Sequence, residues 1–355
     1  MSELEQRLVR LVASVRPASA PAREAARSEL DMKTKPRGSL GRLEEIAAGI
    51  AAARGTASPG PLRATVVVAA ADHGIAAEGV SAYPQEVTAQ MLANFATGGA
   101  AVCVLAKAAG ADLVVVDAGV ATALDLEGVR SVPIVRGSAN ATKGPALTRD
   151  DAVRAVLAGA DLAEELTLSG TTVLGLGEMG IANTTVAAAL AAALLGRDPE
   201  ALCGPGTGVD VDGVTHKVAV VRAMLAANEP DPADAIGCLA AVGGCEIGFL
   251  AGVALGGAAR DSVVVLDGFI SSVAGLVAAS LAPGFTSHAV ASHLSPEPGH
   301  AIVLERLHLR PVLDLGLRLG EGSGAALALP ILAAARDILV EMSTFAAAGV
   351  TDTGR

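Results

Sequence analysis

Six short apolar runs, each ending in a polar cluster, constrain the fold of this chain more than any other feature. Residues 65–70 run into Asp72-His73-Gly74, 113–116 into Asp117-Ala118-Gly119, and 132–135 into Arg136-Gly137-Ser138. Residues 171–176 run into Gly177-Glu178-Met179-Gly180, 262–266 into Asp267-Gly268, and 288–291 into Ser292-His293-Leu294-Ser295. Several are continuously apolar instead of alternating, the pattern of strands buried on both faces of a helix-covered parallel sheet. Pro133 has no N–H to give a ladder, so its run is expected at an edge.

Helical patterns at 151–165, 184–195 and 248–259 separate these strands, which makes the middle of the chain βαβ in character. In a parallel sheet the carboxyl ends share one edge, where open α/β folds bind ligands. No strand signal precedes Arg63. Residues 20–32 and 40–53 read as helices, as do 304–319 and 323–345, the last interrupted by Pro330. The expected fold is a Rossmann-like α/β domain, a mostly parallel sheet covered by helices, over residues 59–305 and carrying the nucleotide site. Residues 1–58 and 306–355 are expected to form a small helical domain closing over the sheet edge.

The net charge of −11 gives no general attraction to nucleic acid or anionic lipid. With no Trp, one Tyr and five Phe, an aromatic stacking platform for bases is excluded as well. Cys103, Cys203, Cys238 and Cys245 lack CxxC spacing, and a charged start replaces a signal peptide, so a reduced cytoplasmic setting without metal or cofactor is expected. The long uncharged stretch 268–296 is broken by Ser, Pro, Gly and His residues, which argues against a membrane span.

Gly320-Glu321-Gly322-Ser323-Gly324 places a carboxylate between glycines just before a helical pattern, where the backbone is free to let a ligand approach closely. Gly204-Pro205-Gly206-Thr207-Gly208, followed by Lys217, is a candidate phosphate loop or a plain Gly-Pro connection. It is no Walker A motif. Gly175, Gly177 and Gly180 match GxGxxG, but Glu178 would put a carboxylate against a pyrophosphate, so a mononucleotide is the better ligand. Asn183 or Thr184 reads as a helix cap. His73 and His293 are ambiguous, and no GxSxG elbow supports a serine nucleophile.

Several of these motifs occur together with Lys35-Pro36-Arg37-Gly38-Ser39-Leu40-Gly41-Arg42-Leu43-Glu44, Val242-Gly243-Gly244 and Leu319-Gly320-Glu321-Gly322-Ser323-Gly324. In this order the chain resembles the nicotinate-nucleotide:dimethylbenzimidazole phosphoribosyltransferase family of cobalamin biosynthesis over nearly its whole length. The resemblance implies transfer of the phosphoribosyl group of nicotinate mononucleotide to 5,6-dimethylbenzimidazole by a cytoplasmic homodimer. It implies Glu321 as the general base, Glu178 and Gly180 near the nicotinate nucleotide, and Gly204, Gly206, Thr207, Gly208, Lys217 and Ser295 around its phosphate. Tyr83, Met91 and Leu319 would line the benzimidazole pocket. Tyr83 and Met91 depart from the enterobacterial pattern of serine and glutamine, which leaves the choice of azole open. The alternatives are a non-catalytic azole or nucleotide sensor on the same fold, and a nucleoside phosphorylase or NAD-dependent oxidoreductase.

Overall fold

A computed structural model describes residues 1–352. Three helices come first: α1 (Glu3–Ser14), α2 (Ala20–Met32) and α3 (Arg42–Ala53). Strand β1 (Ala64–Ala71) is followed by α4 (Glu86–Ala96), α5 (Ala101–Ala108), β2 (Asp112–Gly119), β3 (Val129–Ser131) and α6 (Arg149–Leu168). Then come β4 (Val173–Met179), α7 (Asn183–Leu195), α8 (Val211–Asn228), α9 (Ala235–Val242), α10 (Cys245–Ala259), β5 (Val263–Leu266) and α11 (Phe269–Leu281). Strand β6 (Ala289–Ala291), α12 (Pro298–Leu307) and α13 (Ser323–Glu341) complete the core.

The six strands form one sheet in the order β3-β2-β1-β4-β5-β6, parallel at every pairing. Alternation along β1 explains its unbroken apolar run. Val67, Ala69 and Ala71 face a cluster with α6, α7, α10 and α11, whereas Val66, Val68 and Ala70 face one with α2, α3, α5 and α13. A strand covered on both sides has no polar face to show. Small side chains serve this layering: α6 and α10 approach so closely that a Cβ at Gly252 would overlap the Val156 carbonyl oxygen. Helix α1 packs on the face that carries α6 and α10, while α2, α3 and α13 pack on the other.

Three sequence expectations are corrected. The strand expected at 132–135 lies earlier, at Val129–Ser131, although it does sit at the sheet edge. Val132 and Ile134 still donate to the Asp117 and Ala118 carbonyls, but Pro133 between them cannot, and the ladder ends. Of residues 304–319 only 304–307, the end of α12, are helical. Helix α12 stops at Leu307 with His308 in the left-handed region, and Val312 and Leu313 donate to Ala291 and Ser292 along the outer side of β6. Leu309 and Leu313 pack against the core clusters, whereas Leu315 and Leu319 are exposed. Pro330 lies inside α13 without interrupting it, on its exposed side.

Residues 86–108 and 323–341 are each long and apolar enough, by length and composition alone, to cross a membrane. The first is two helices broken between Ala96 and Ala101, and the second carries Ala325, Ala326, Ala328, Leu332 and Ala335 into the buried cluster beneath the sheet.

Candidate active site

Strand order reverses between β1 and β4, so the connections leaving their carboxyl ends diverge and open a crevice. A cleft of about 270 Å³ lies there, lined by Glu178, Met179, Asn183 and Thr184 on one side and Gly206, Thr207, Ser295 and Glu297 on another. Tyr83, Phe269, His293, Arg318, Leu319 and Gly320 complete its wall.

Behind that wall Gly320, Glu321 and Gly322 all adopt positive φ, at 80°, 64° and 91°. For a glutamate this conformation costs about 1–3 kcal/mol, so the surroundings must hold it. Asp267, at the end of β5, does so. Its Oδ2 accepts from Gly322 N at 3.1 Å and its Oδ1 from Ala325 N at 2.9 Å, which caps the first turn of α13 from a distant segment. Burial pushes the Asp267 carboxyl up to about 7, against the lowering effect of those N–H groups. Gly177 completes the seat, because a Cβ there would overlap the Glu321 carbonyl oxygen and lie 2.7 Å from Gly322 N.

Glu321 itself is only 6% exposed, and its Oε2 is buried without a hydrogen-bond partner among the described residues. Burial raises its pKa, and a backbone hydrogen bond from Val102 partly opposes the shift. A carboxylate so placed has one oxygen free for an incoming proton.

Glu178 is also buried, and its Oε2 accepts from Asn183 Nδ2. The helix-cap reading of Asn183 and Thr184 is therefore corrected: Ala182 precedes α7 without a side-chain cap, Asn183 serves Glu178, and Thr184 accepts from Lys217 Nζ at 3.0 Å. Burial first, then the charge of Asp267, push the Glu178 carboxyl up to about 8. The folded protein thus holds protons that the unfolded chain releases, so this contribution to stability is complete below pH ~4.5 and is lost as pH rises toward about 8. Thermal unfolding is expected to show Tm falling between pH 5 and 8.5, with a shallower slope in Glu178→Gln. A wild-type Tm that rises over that range contradicts the assignment.

The opposite end of the cleft sets a buried ammonium beside a buried carboxylate. Lys217, 1% exposed, donates to Thr184 Oγ1 and, at 2.9 Å, to the Gly204 carbonyl, which leaves one of its three protons uncommitted. Burial lowers its pKa, while the charge of Glu297 opposes this. Gly206, at φ 53°, has no side chain to cover Nζ; a Cβ would sit 3.0 Å from it. Gly206 N donates to Glu297 Oε1 at 2.8 Å, and Glu297 Oε2 is buried without a partner. Ser295 N donates to His300 Nδ1 at 3.0 Å, so the imidazole proton is on Nε2, 3.0 Å from Ser272 Oγ. Burial holds His300 neutral, with a pKa near about 3. The turn that presents Ser295 and Glu297 is anchored from below.

Of the residues singled out from sequence, Glu178, Gly206, Thr207, Ser295, Tyr83 and Leu319 line the cleft. Lys217 and Gly204 lie beneath the end at Gly206, Gly180 packs against Ala71 and His73, and Glu321 lies behind Gly320. Gly208 is at the exposed far side of its loop, and Met91, on α4, packs against the cluster under the sheet instead of lining the cleft. Sequence reasoning missed Glu297, Arg318 and the capping role of Asp267. Their signals, a carboxylate after a strand and one between two prolines, are common in ordinary loops.

A family model described as phosphoribosyltransferase matches residues 15–350. The nicotinate-nucleotide–dimethylbenzimidazole phosphoribosyltransferase of Chloroflexus aggregans is 48% identical over 346 residues, covering 97% of this chain and 98% of its own. The enzyme of the same name from Pelodictyon phaeoclathratiforme is 48% identical over 98% of this chain and 99% of its own. A crystal structure of CobT from Thermus thermophilus superposes with a TM-score of 0.90 at 48% identity, over 93% of this chain and 99% of the other. The fold, the cleft at the switch point and these full-length matches agree: the chain belongs to the nicotinate-nucleotide–dimethylbenzimidazole phosphoribosyltransferase family.

Proposed function

We propose that this chain transfers the phosphoribosyl group of nicotinate mononucleotide to 5,6-dimethylbenzimidazole, giving α-ribazole 5′-phosphate and nicotinate, with Glu321 as general base. The observation that carries the reading is a buried carboxylate with one unpartnered oxygen, fixed next to a cleft whose far end holds a buried ammonium and a glycine-rich loop. The nucleotide's phosphate lies at the Lys217 and Gly206 end, and the azole lies between Tyr83, Leu319 and Glu321. One azole nitrogen forms the new bond to the anomeric carbon as the bond to the pyridinium nitrogen breaks. The leaving ring takes that electron pair and departs uncharged, so it needs no acid. The azole must lose its N–H proton for a neutral product, and Glu321 accepts it.

We also propose a helical unit from residues 1–58 and 306–355 beside a sheet unit from 59–305. The working form we propose is a cytoplasmic homodimer, in which a partner covers exposed apolar side chains such as Val104 and Leu168. Incubation of the purified protein with nicotinate mononucleotide and dimethylbenzimidazole, followed chromatographically, is expected to release nicotinate and a ribotide in equal amounts. No release with dimethylbenzimidazole, adenine or other azoles removes the enzymatic reading. The ranking of azoles reports what Tyr83 selects.

A further inference from the structure

The chain carries a net charge of −11, yet a groove of about 300 Å³, built from α2, α3, β6 and the segments flanking β6, is lined by basic groups. Arg23, Arg27, Arg42, His288, His308 and Arg310 all contribute to its wall. Glu45, the one acid among the lining residues, is already paired with Arg42 at 2.5 Å. Arg42 also donates to the Arg310 carbonyl at 2.6 Å, which ties the two walls together. Arg27 reaches a carboxylate only at 3.9 Å, at Glu24, and Arg23 and Arg310 have no ion pair among the described residues.

One further feature indicates that an anion is wanted here. Arg23 is partly buried beside Arg27, and burial followed by that like charge lowers its pKa, a repulsion that nothing in the groove offsets. Guanidinium forks suit tetrahedral oxyanions with several acceptor oxygens, which bridge two or three cations at once and remove their mutual repulsion. A monocarboxylate has too few oxygens to do this.

We infer that this groove is a second anion-binding site, separate from the cleft, for a phosphate-class oxyanion, either inorganic phosphate or a phosphate monoester. The site owes nothing to the cleft's own anion end, since Lys217, Gly206 and Ser295 lie outside its wall. The test is a calorimetric titration of inorganic phosphate, and separately of ribose 5-phosphate, into the wild-type protein in low-chloride buffer, repeated with Arg23→Ala/Arg27→Ala. Both substitutions spare the buried residues of α2, Ala22, Ala26 and Leu30. A Lys217→Met variant reports binding at the cleft. The double variant is expected to lose about tenfold or more in affinity for the groove's ligand, the loss of a charge-assisted hydrogen bond, with its Tm and nicotinate release unchanged. Lys217→Met is expected to keep the groove's binding event. Tighter binding of ribose 5-phosphate assigns the groove to monoesters, and tighter binding of phosphate assigns it to the free ion. Unchanged affinity in the double variant, or wild-type binding that Lys217→Met abolishes entirely, overturns the inference. Binding is read without turnover, so this outcome is independent of the proposed reaction.

Discussion

Replacing Glu321 with Gln is expected to lower kcat by ~10²–10⁴-fold, the usual contribution of a positioned general base, while the KM for nicotinate mononucleotide stays within a few-fold of wild type. The amide keeps the size of the side chain and still accepts the Val102 backbone N–H, but it cannot take a proton. Nucleotide binding should survive, because the phosphate end proposed at Lys217 and Gly206 is built from other segments. A Gln at φ 64° is no more strained than Glu, so the Tm should move little. Steady-state kinetics on the purified variant check this directly, and a kcat within tenfold of wild type removes Glu321 as the base. The pH profile supplies the sign. A base works when deprotonated, and burial raises the Glu321 pKa above its ordinary value, so the acid limb of kcat should lie above pH ~4.5 and be absent from the variant.

Most of the sheet is visible in the sequence because both of its faces are covered: an unbroken run of β-branched residues such as Val66, Val67 and Val68 suits a strand buried on both sides. The same logic fails where backbone pairing at the sheet edge replaces a helix, as at 312–313, and where a proline ends a ladder, as at 132–135. Glu321 is legible because its flanking glycines are local. What holds it is not: Asp267 and Gly177 meet the 320–322 segment only after the sheet has formed. Asn183 and Thr184 illustrate the same limit. Their position just before a helix is a capping signature, but the partners they find, Glu178 and Lys217, follow from tertiary placement.

The largest effect outside the carboxylate itself is expected at Gly177, where Ala should abolish most turnover. Gly175, Gly177 and Gly180 match a dinucleotide fingerprint, in which bare backbone makes room for a pyrophosphate. In the structure the room at Gly177 is taken by the chain itself. An added Cβ would overlap the Glu321 carbonyl oxygen and stand 2.6 Å from its carbonyl carbon and 2.7 Å from Gly322 N. All three are backbone atoms, so no side chain can swing aside; either β4 or the 320–322 segment must move. Asp267 holds that segment to the start of α13 through Gly322 and Ala325, so the displacement should reach the base. A misplacement of about 1 Å costs on the order of 10²-fold in rate, and overpacking a buried site costs about 1–3 kcal/mol of stability. Gly177→Ala is therefore expected to lower kcat by ~10²-fold or more and to lower Tm. Gly60→Ala, where no atom lies within 4 Å of the added Cβ, should behave as wild type in both assays. A Gly177→Ala enzyme with wild-type kcat would show that the seat of Glu321 tolerates the shift. The glycine of the fingerprint would then be free to serve a ligand, as its motif suggests, and the close fit between β4 and the Glu321 segment would carry no catalytic weight.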